Sequence, residues 1–308
     1  MMIERQKARD AIMDMNANDG IAANREYKDR LFTFIFGKEE NRPYLLQLYN
    51  ALNGTSYTDP SELEITTLQD VIYIRQKNDI SFLLDSELSL YEQQSSYNPN
   101  MPLRGLMYFS ALYRQFLSRQ GTDLYSSSLV KIPSPRYVVF YNGLRELPDV
   151  SKLRLSDAFE IPDESGEFEW TATVYNVNAG RNPAIMENCA ALAQYADFIQ
   201  WVRENSETMP AKDAVDAAVR QAIAQNYLNG FFKKHREEVV DVSLTEFNEE
   251  EFVRNRRNEG RAEGRVEGET KLGKLMDLLL KQGLIDLAKL VAVDAQEREK
   301  QYQRFGIN

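Results

Sequence analysis

The sequence predicts a mixed α/β fold: an α+β mixed sheet with a core in the order α-β-β-β-α-β and a helical C-terminal extension. Three observations predict it. The stretch NDISFLLDSELSLYEQQS (78–95) reads as two strands around a tight turn. NPNMPLRGLMYFSALYRQFLSRQG (98–121) reads as a helix, with Pro102 at its start and Gly121 at its end. PRYVVFYNG (135–143) is a nearly continuous apolar run, as expected of an interior strand.

The remaining elements follow in order. Residues 1–25 read as helical or loosely ordered, broken at NANDG. REYKDRLFTFIFGKEENRPYLLQLYNALNG (25–54) carries Leu31, Phe32, Ile35, Phe36 and then Leu45, Leu46, Leu48, Tyr49, Leu52 at helical spacing. Gly37 and Pro43 split it into two helices and Gly54 closes the second. LEITTLQDVIYIRQ (63–76) alternates and is β-rich, so a strand is expected there. The helix over 98–121 has an apolar stripe of Leu103, Leu106, Met107, Ser110, Leu112, Tyr113, Phe116 and Leu117.

Downstream, FEWTATVYNVN (168–178) is a strand by its β-branched and aromatic content. Residues 183–205 and 213–234 are expected as two helices. One further strand cannot form its own sheet, so this sector packs on the first. The tail RRNEGRAEGRVEGETKLG has a four-residue repeat, with columns Gly260, Gly264, Gly268; Glu259, Glu263, Glu267; and Arg257, Arg261, Arg265. On a helix, opposed charge columns and a glycine column would favour self-association. Glycine costs about 1 kcal/mol in a helix interior, which favours a mobile linker instead. Residues 271–308 read as a small helical segment.

Composition narrows the function. A single cysteine, Cys189, excludes an internal disulfide framework and suits a reducing cytosol. No apolar run reaches membrane-spanning length, and the polar first residues lack a signal-peptide core. Cytoplasmic residence without a membrane is the expectation. The net charge of −10 argues against a generic nucleic-acid coat. Residues 100–145 nevertheless hold six basic side chains and one acidic, either a local basic surface or scattered solvated cations. His235 is the sole histidine and sits in the charged context FFKKHREE, as a surface residue would. Histidine-based zinc sites and triads have little to build on.

The hairpin supplies the chemistry. If Asp85 and Ser86 form the turn, Leu84 faces Glu87, Leu83 faces Leu88, Ser81 faces Leu90 and Asp79 faces Glu92. Opposed residues share a face with Cβ atoms about 4.5–5.5 Å apart. Gln94 joins that face by alternation. Opposed like charges destabilise a sheet unless a proton, a cationic side chain or a divalent metal intervenes. A longer turn would instead leave both acids at a solvated sheet end.

Asp79, then Glu92-x-Gln94, then a helix opening with Arg104, resembles the PD-(D/E)XK nuclease superfamily. Within it, KDRLFTFIFG, the hairpin, NPNMPLRGLMYFSALYRQ, PRYVVFYNG, YNVNAGRNP and the EGRAEGRVEG tail resemble the Rpn family of recombination-promoting nucleases, also called PD-(D/E)XK nuclease family putative transposases. The resemblance implies a restriction-endonuclease-like core over residues 26–245, followed by the repeat (246–270) as linker or helix and the segment 271–308. It implies Mg²⁺ or Mn²⁺ held by Asp79, Glu92 and the backbone carbonyl of Gln93, with Asp29 as a further acid or simply a helix N-terminal charge. Gln94 stands where the superfamily has lysine; it can orient water but brings no charge. Arg104 is the replacement candidate, or else a salt-bridge or phosphate-contact residue. Arg114, Arg119 and Lys131 are candidate phosphate contacts to double-stranded DNA. A homo-oligomer through the C-terminal region is expected alongside DNA as partner. The competing reading is a weak or inactive nuclease-fold protein serving as an interaction module.

Overall fold

A computed structural model describes residues 31–67, 78–125, 127–163 and 165–307, with side chains 248–267 excepted. Asp29, the N-terminal segment and most of the strand expected over 63–76 lie outside the described residues. Packing divides the chain into two compact units, Met1–Phe247 and Asn248–Asn308.

The first unit is a mixed α/β structure around one six-stranded sheet. Helices α1 (Leu31–Phe36) and α2 (Arg42–Asn53) lead into strands β1 (Glu64–Ile65), β2 (Ile80–Leu84) and β3 (Glu87–Gln94). Helix α3 (Met101–Gln120) crosses over to β4 (Ser134–Tyr141), which is followed by β5 (Val150–Arg154) and β6 (Thr171–Asn176). The strand order is β1-β2-β3-β4-β6-β5. The β3–β4 and β4–β6 pairs are parallel; the other three are antiparallel. Strand β4 is therefore interior, and its burial matches the apolar run that marks it. Strand β6 joins the same sheet instead of founding another.

Each face of the sheet has its own core. Leu90, Tyr137, Val139 and Tyr141 pack under Met101, Tyr108, Phe109 and Leu112 of α3. Phe82, Tyr91, Val138 and Phe140 pack against α1, α2 and the later helices. Alternation along β3 and β4 sends successive side chains into these two cores. The face that α3 buries differs from the stripe expected. Leu103 and Met107 are 42% and 46% exposed, while Gly105, Tyr108 and Phe109 are buried. Gly105 sets this rotation. A Cβ there would lie 2.3 Å from Cε1 of Tyr137, so only glycine lets the helix lie so low on the sheet.

Three local expectations need correction. Strand β5 was not anticipated, because VSKLR alternates weakly and is largely exposed; its pairing with β6 makes it a strand. The helix expected over 183–205 breaks at Cys189 into α4 (Pro183–Asn188) and α5 (Ala190–Ser206). Gln47, from α2, accepts the Ala191 N–H at 3.3 Å and so caps the second piece. The helix expected over 213–234 ends in α6 (Ala211–Ala224) and resumes as α7 (Phe231–Lys234). Between them Asn226, Leu228, Asn229 and Gly230 all have positive φ. Leu228 tolerates this because Gln194 accepts its N–H and Tyr44 donates to its carbonyl.

His235, expected at the surface, is half-buried, with its ring nitrogens toward the exposed Glu40 and Glu238. Its side chain is 14% exposed, and its ring packs 5.2 Å from Phe34 and 4.8 Å from Phe231.

The repeat lies within a single helix, α8 (Arg236–Lys281). In the second unit, α9 (Ile285–Val293) and α10 (Ala295–Phe305) pack with the end of α8 around Leu275, Leu279, Ala288 and Val291. Among the described residues no helix is long and apolar enough to cross a membrane.

Candidate active site

The observed hairpin register pairs Leu84 with Glu87, Leu83 with Leu88, Ser81 with Leu90 and Ile80 with Tyr91. The turn is the two-residue Asp85–Ser86, and Asp85 takes the left-handed region at φ 52°. Asp tolerates that conformation better than most residues. The ladder ends at Ile80–Tyr91, so the strand pairing expected of Asp79 and Glu92 does not form; Asp79 lies one residue before β2 and is joined to the Glu92 end of β3 by other bonds.

They meet through the main chain. The Asp79 N–H donates to Glu92 Oε1 at 3.0 Å, and the Gln93 N–H donates to Asp79 Oδ2 at 2.8 Å. Each carboxylate thus takes an amide from the opposite strand. Charge-assisted bonds of this kind stabilise the ionised form. They explain how two acids are tolerated at one point of a sheet.

Arg104 supplies the countercharge. It is the fourth residue of α3, and its Nη2 donates to Glu92 Oε2 at 3.0 Å and to the Tyr108 hydroxyl at 3.0 Å. Glu92 is 1% exposed and the Arg104 side chain 35%. A buried carboxylate needs such a partner, since an unpaired buried charge is costly. Burial works against the Arg104 charge, but Glu92 and then Tyr108 outweigh it and raise its pKa. Burial and the Glu92 charge both raise the Tyr108 hydroxyl, which stays protonated at neutral pH.

Gln94 is buried on the same face, and its Nε2 donates to the Gln93 carbonyl at 2.8 Å. The structure therefore gathers Asp79, Glu92, the Gln93 peptide, Gln94 and Arg104. It does not gather the three phosphate-contact candidates with them. Arg119 lies about 22 Å along α3 from Arg104 at 1.5 Å per residue, where it pairs with Glu64 at 3.0 Å. Lys131 lines a groove at the turn end of the hairpin with Glu62, Glu64 and Asp85. Arg114 is exposed on α3.

The donor set fits a hard divalent cation. Two carboxylates and a carbonyl match Mg²⁺ or Mn²⁺, which commonly bind through one or two carboxylates plus water and phosphate oxygens. A carboxylate oxygen accepts more than one bond, so the contacts seen orient these groups without exhausting them. Among the described residues no group of three or more His, Cys, Asp or Glu could hold a metal.

Sequence reasoning missed Asn142 and Tyr195. Asn142 is 3% exposed, accepts from Gln93 Nε2 at 2.7 Å and donates to the Tyr195 hydroxyl at 2.9 Å. The Asn-Gly pair after an apolar run signals a turn, which concealed a buried side chain at the strand's end. For Tyr108, the i,i+4 spacing from Arg104 was the available signal.

Compared with protein-family models, curated proteins and solved structures, the chain finds no match in any of the three.

Proposed function

We propose that this chain is a divalent-metal-dependent endonuclease with a PD-(D/E)XK-like core, of the Rpn type its sequence resembles, hydrolysing DNA phosphodiesters with low sequence specificity. The observation that carries the reading is the meeting of Asp79 and Glu92 beside the Gln93 peptide at the open end of the hairpin. Asp79, Glu92 and the Gln93 carbonyl would hold Mg²⁺ or Mn²⁺. Such a cation, when bound, polarises the phosphodiester and lowers the pKa of a bound water. Gln94, two residues from Glu92, orients the attacking water through its amide once that amide turns from the Gln93 carbonyl. Arg104, paired with Glu92 at 3.0 Å, would present its remaining donors to a phosphate oxygen, the role lysine has elsewhere in the superfamily. Arg114, Arg119 and Lys131 would contact the flanking backbone of double-stranded DNA, and the C-terminal region would join copies of the chain.

The test is nicking of supercoiled plasmid in Mg²⁺ and in Mn²⁺. The wild-type chain is expected to nick, and Asp79→Ala to nick at least about 10²–10³-fold more slowly. Intact plasmid with the wild-type chain in both metals at low salt would overturn the reading.

A second reading is favoured by a specific observation: in this conformation the Gln94 amide bonds Gln93 and Arg104 bonds Glu92. A nuclease fold held in that state would act as an oligomeric interaction module. Light scattering on the full chain and on residues 1–247 distinguishes it: assembly without nicking supports this reading, and a monomeric full chain removes it.

A further inference from the structure

We infer that Asn142 and Tyr195 are positioning residues for the metal-binding peptide, acting through the side chain of Gln93. The inference rests on the proposed reading of Asp79, Glu92 and Gln93 as the cation site.

Gln93 is where two networks join. Its main chain faces the acids: the N–H donates to Asp79 Oδ2 and the carbonyl accepts from Gln94. Its side chain points to the other face of the sheet, in register with Phe140, and is 2% exposed. An amide so placed among Tyr91, Phe140 and Tyr195 needs partners or it destabilises the core. Asn142 provides one at 2.7 Å and is itself bonded to the Tyr195 hydroxyl at 2.9 Å. Helix α5, which carries Tyr195, therefore reaches through the sheet to the peptide beside the acids.

Asn142 ties the strand ends a second time. Its own N–H donates to the Gln94 carbonyl at 3.1 Å. The next residue, Gly143, lies so close to the Ser95 carbonyl that a Cβ would sit 2.2 Å from that oxygen. The carboxyl end of β4 is thus clamped on that of β3 over residues 93–95. A peptide can rotate about its flanking bonds and turn its carbonyl away. Anchoring the Gln93 side chain on one face restrains rotation of the main chain at Gln93, and with it the direction in which the Gln93 carbonyl points. The logic is that of outer-shell partners that orient a metal ligand.

The experiment uses the full chain and Mn²⁺ alone, with free Mn²⁺ read by electron paramagnetic resonance. Four variants are compared with wild type at a temperature where circular dichroism shows each folded. Gln93→Leu keeps the backbone and most of the apolar volume but removes the tether. Asn142→Ala removes its middle and Tyr195→Phe the hydroxyl bonded to Asn142. Asn142→Asp keeps acceptors for both Gln93 and the Tyr195 hydroxyl, but buries a charge. We expect Gln93→Leu and Asn142→Ala to raise the Mn²⁺ half-saturation about 10–100-fold, Tyr195→Phe less, and Asn142→Asp to bind near wild type despite a lower melting temperature. Folded Gln93→Leu with wild-type affinity, or affinity that tracks melting temperature across all four, would overturn the inference. Absence of Mn²⁺ binding by the wild-type chain would overturn the site reading first, and the inference with it.

Discussion

The two ends of one hairpin carry the same kinds of side chain in different settings. At the turn, Glu87 accepts from Arg136 Nε at 2.9 Å and from Ser89, and Asp85 bonds the Tyr57 hydroxyl. Arg136 there is 51% exposed. At the open end, Glu92 is almost fully buried, bonded to Arg104, and cross-linked with Asp79 through main-chain amides. The turn end is a solvent-facing ion pair on a sheet. The open end is an acid pair whose geometry the backbone itself dictates. Carboxylate and arginine together do not mark a site; burial and main-chain anchoring separate the two ends.

Substitutions at the two ends should diverge accordingly. The largest effect is on activity: Asp79→Ala or Glu92→Gln is expected to lower plasmid nicking by at least about 10²–10³-fold, in line with loss of a charge-stabilising group. Glu87→Gln is expected to leave nicking unchanged; equal losses at both ends would erase the comparison. Next is stability. Arg104→Met removes one partner of a buried pair and should cost about 3 kcal/mol, the low end of that class because the guanidinium is partly solvated. Urea unfolding checks it. Gly105→Ala should cost about 1–3 kcal/mol by overpacking against Tyr137, a value near zero meaning that α3 is not held against the sheet at that point. At the turn end, Arg136→Ala should cost under about 1 kcal/mol, as exposed pairs do.

The smallest effect concerns pH. Arg104 has a raised folded pKa. Its contribution is therefore fully present below the ordinary arginine value and is lost only above the folded one. The stability difference between wild type and Arg104→Met should stay flat from about pH 7 to 10. A slope there would mean another group titrates against Arg104.

The hairpin was legible because strand registry is arithmetic: once Asp85–Ser86 turns, every pairing to Ile80–Tyr91 follows, and the ladder ends one step short of Asp79 and Glu92. Strand β4 was legible from its apolar run. What stayed hidden depended on distant side chains. The break at Cys189 is capped by Gln47, and the left-handed Leu228 is supported by Gln194 and Tyr44. None of these is near in sequence, and local pattern alone favours continuous helix. The Gln93–Asn142–Tyr195 chain was hidden for the same reason, with partners 49 and 53 residues apart. The burial of Gly105 could be anticipated only by knowing that Tyr137 lies beneath it.

On the proposed function, the open end of the hairpin binds a divalent cation. Crystals soaked in Mn²⁺ and measured for anomalous scattering test it most directly. An anomalous peak coordinated by Asp79, Glu92 and the Gln93 carbonyl is expected. Well-diffracting soaked crystals with no peak there would contradict metal binding at this end of the hairpin.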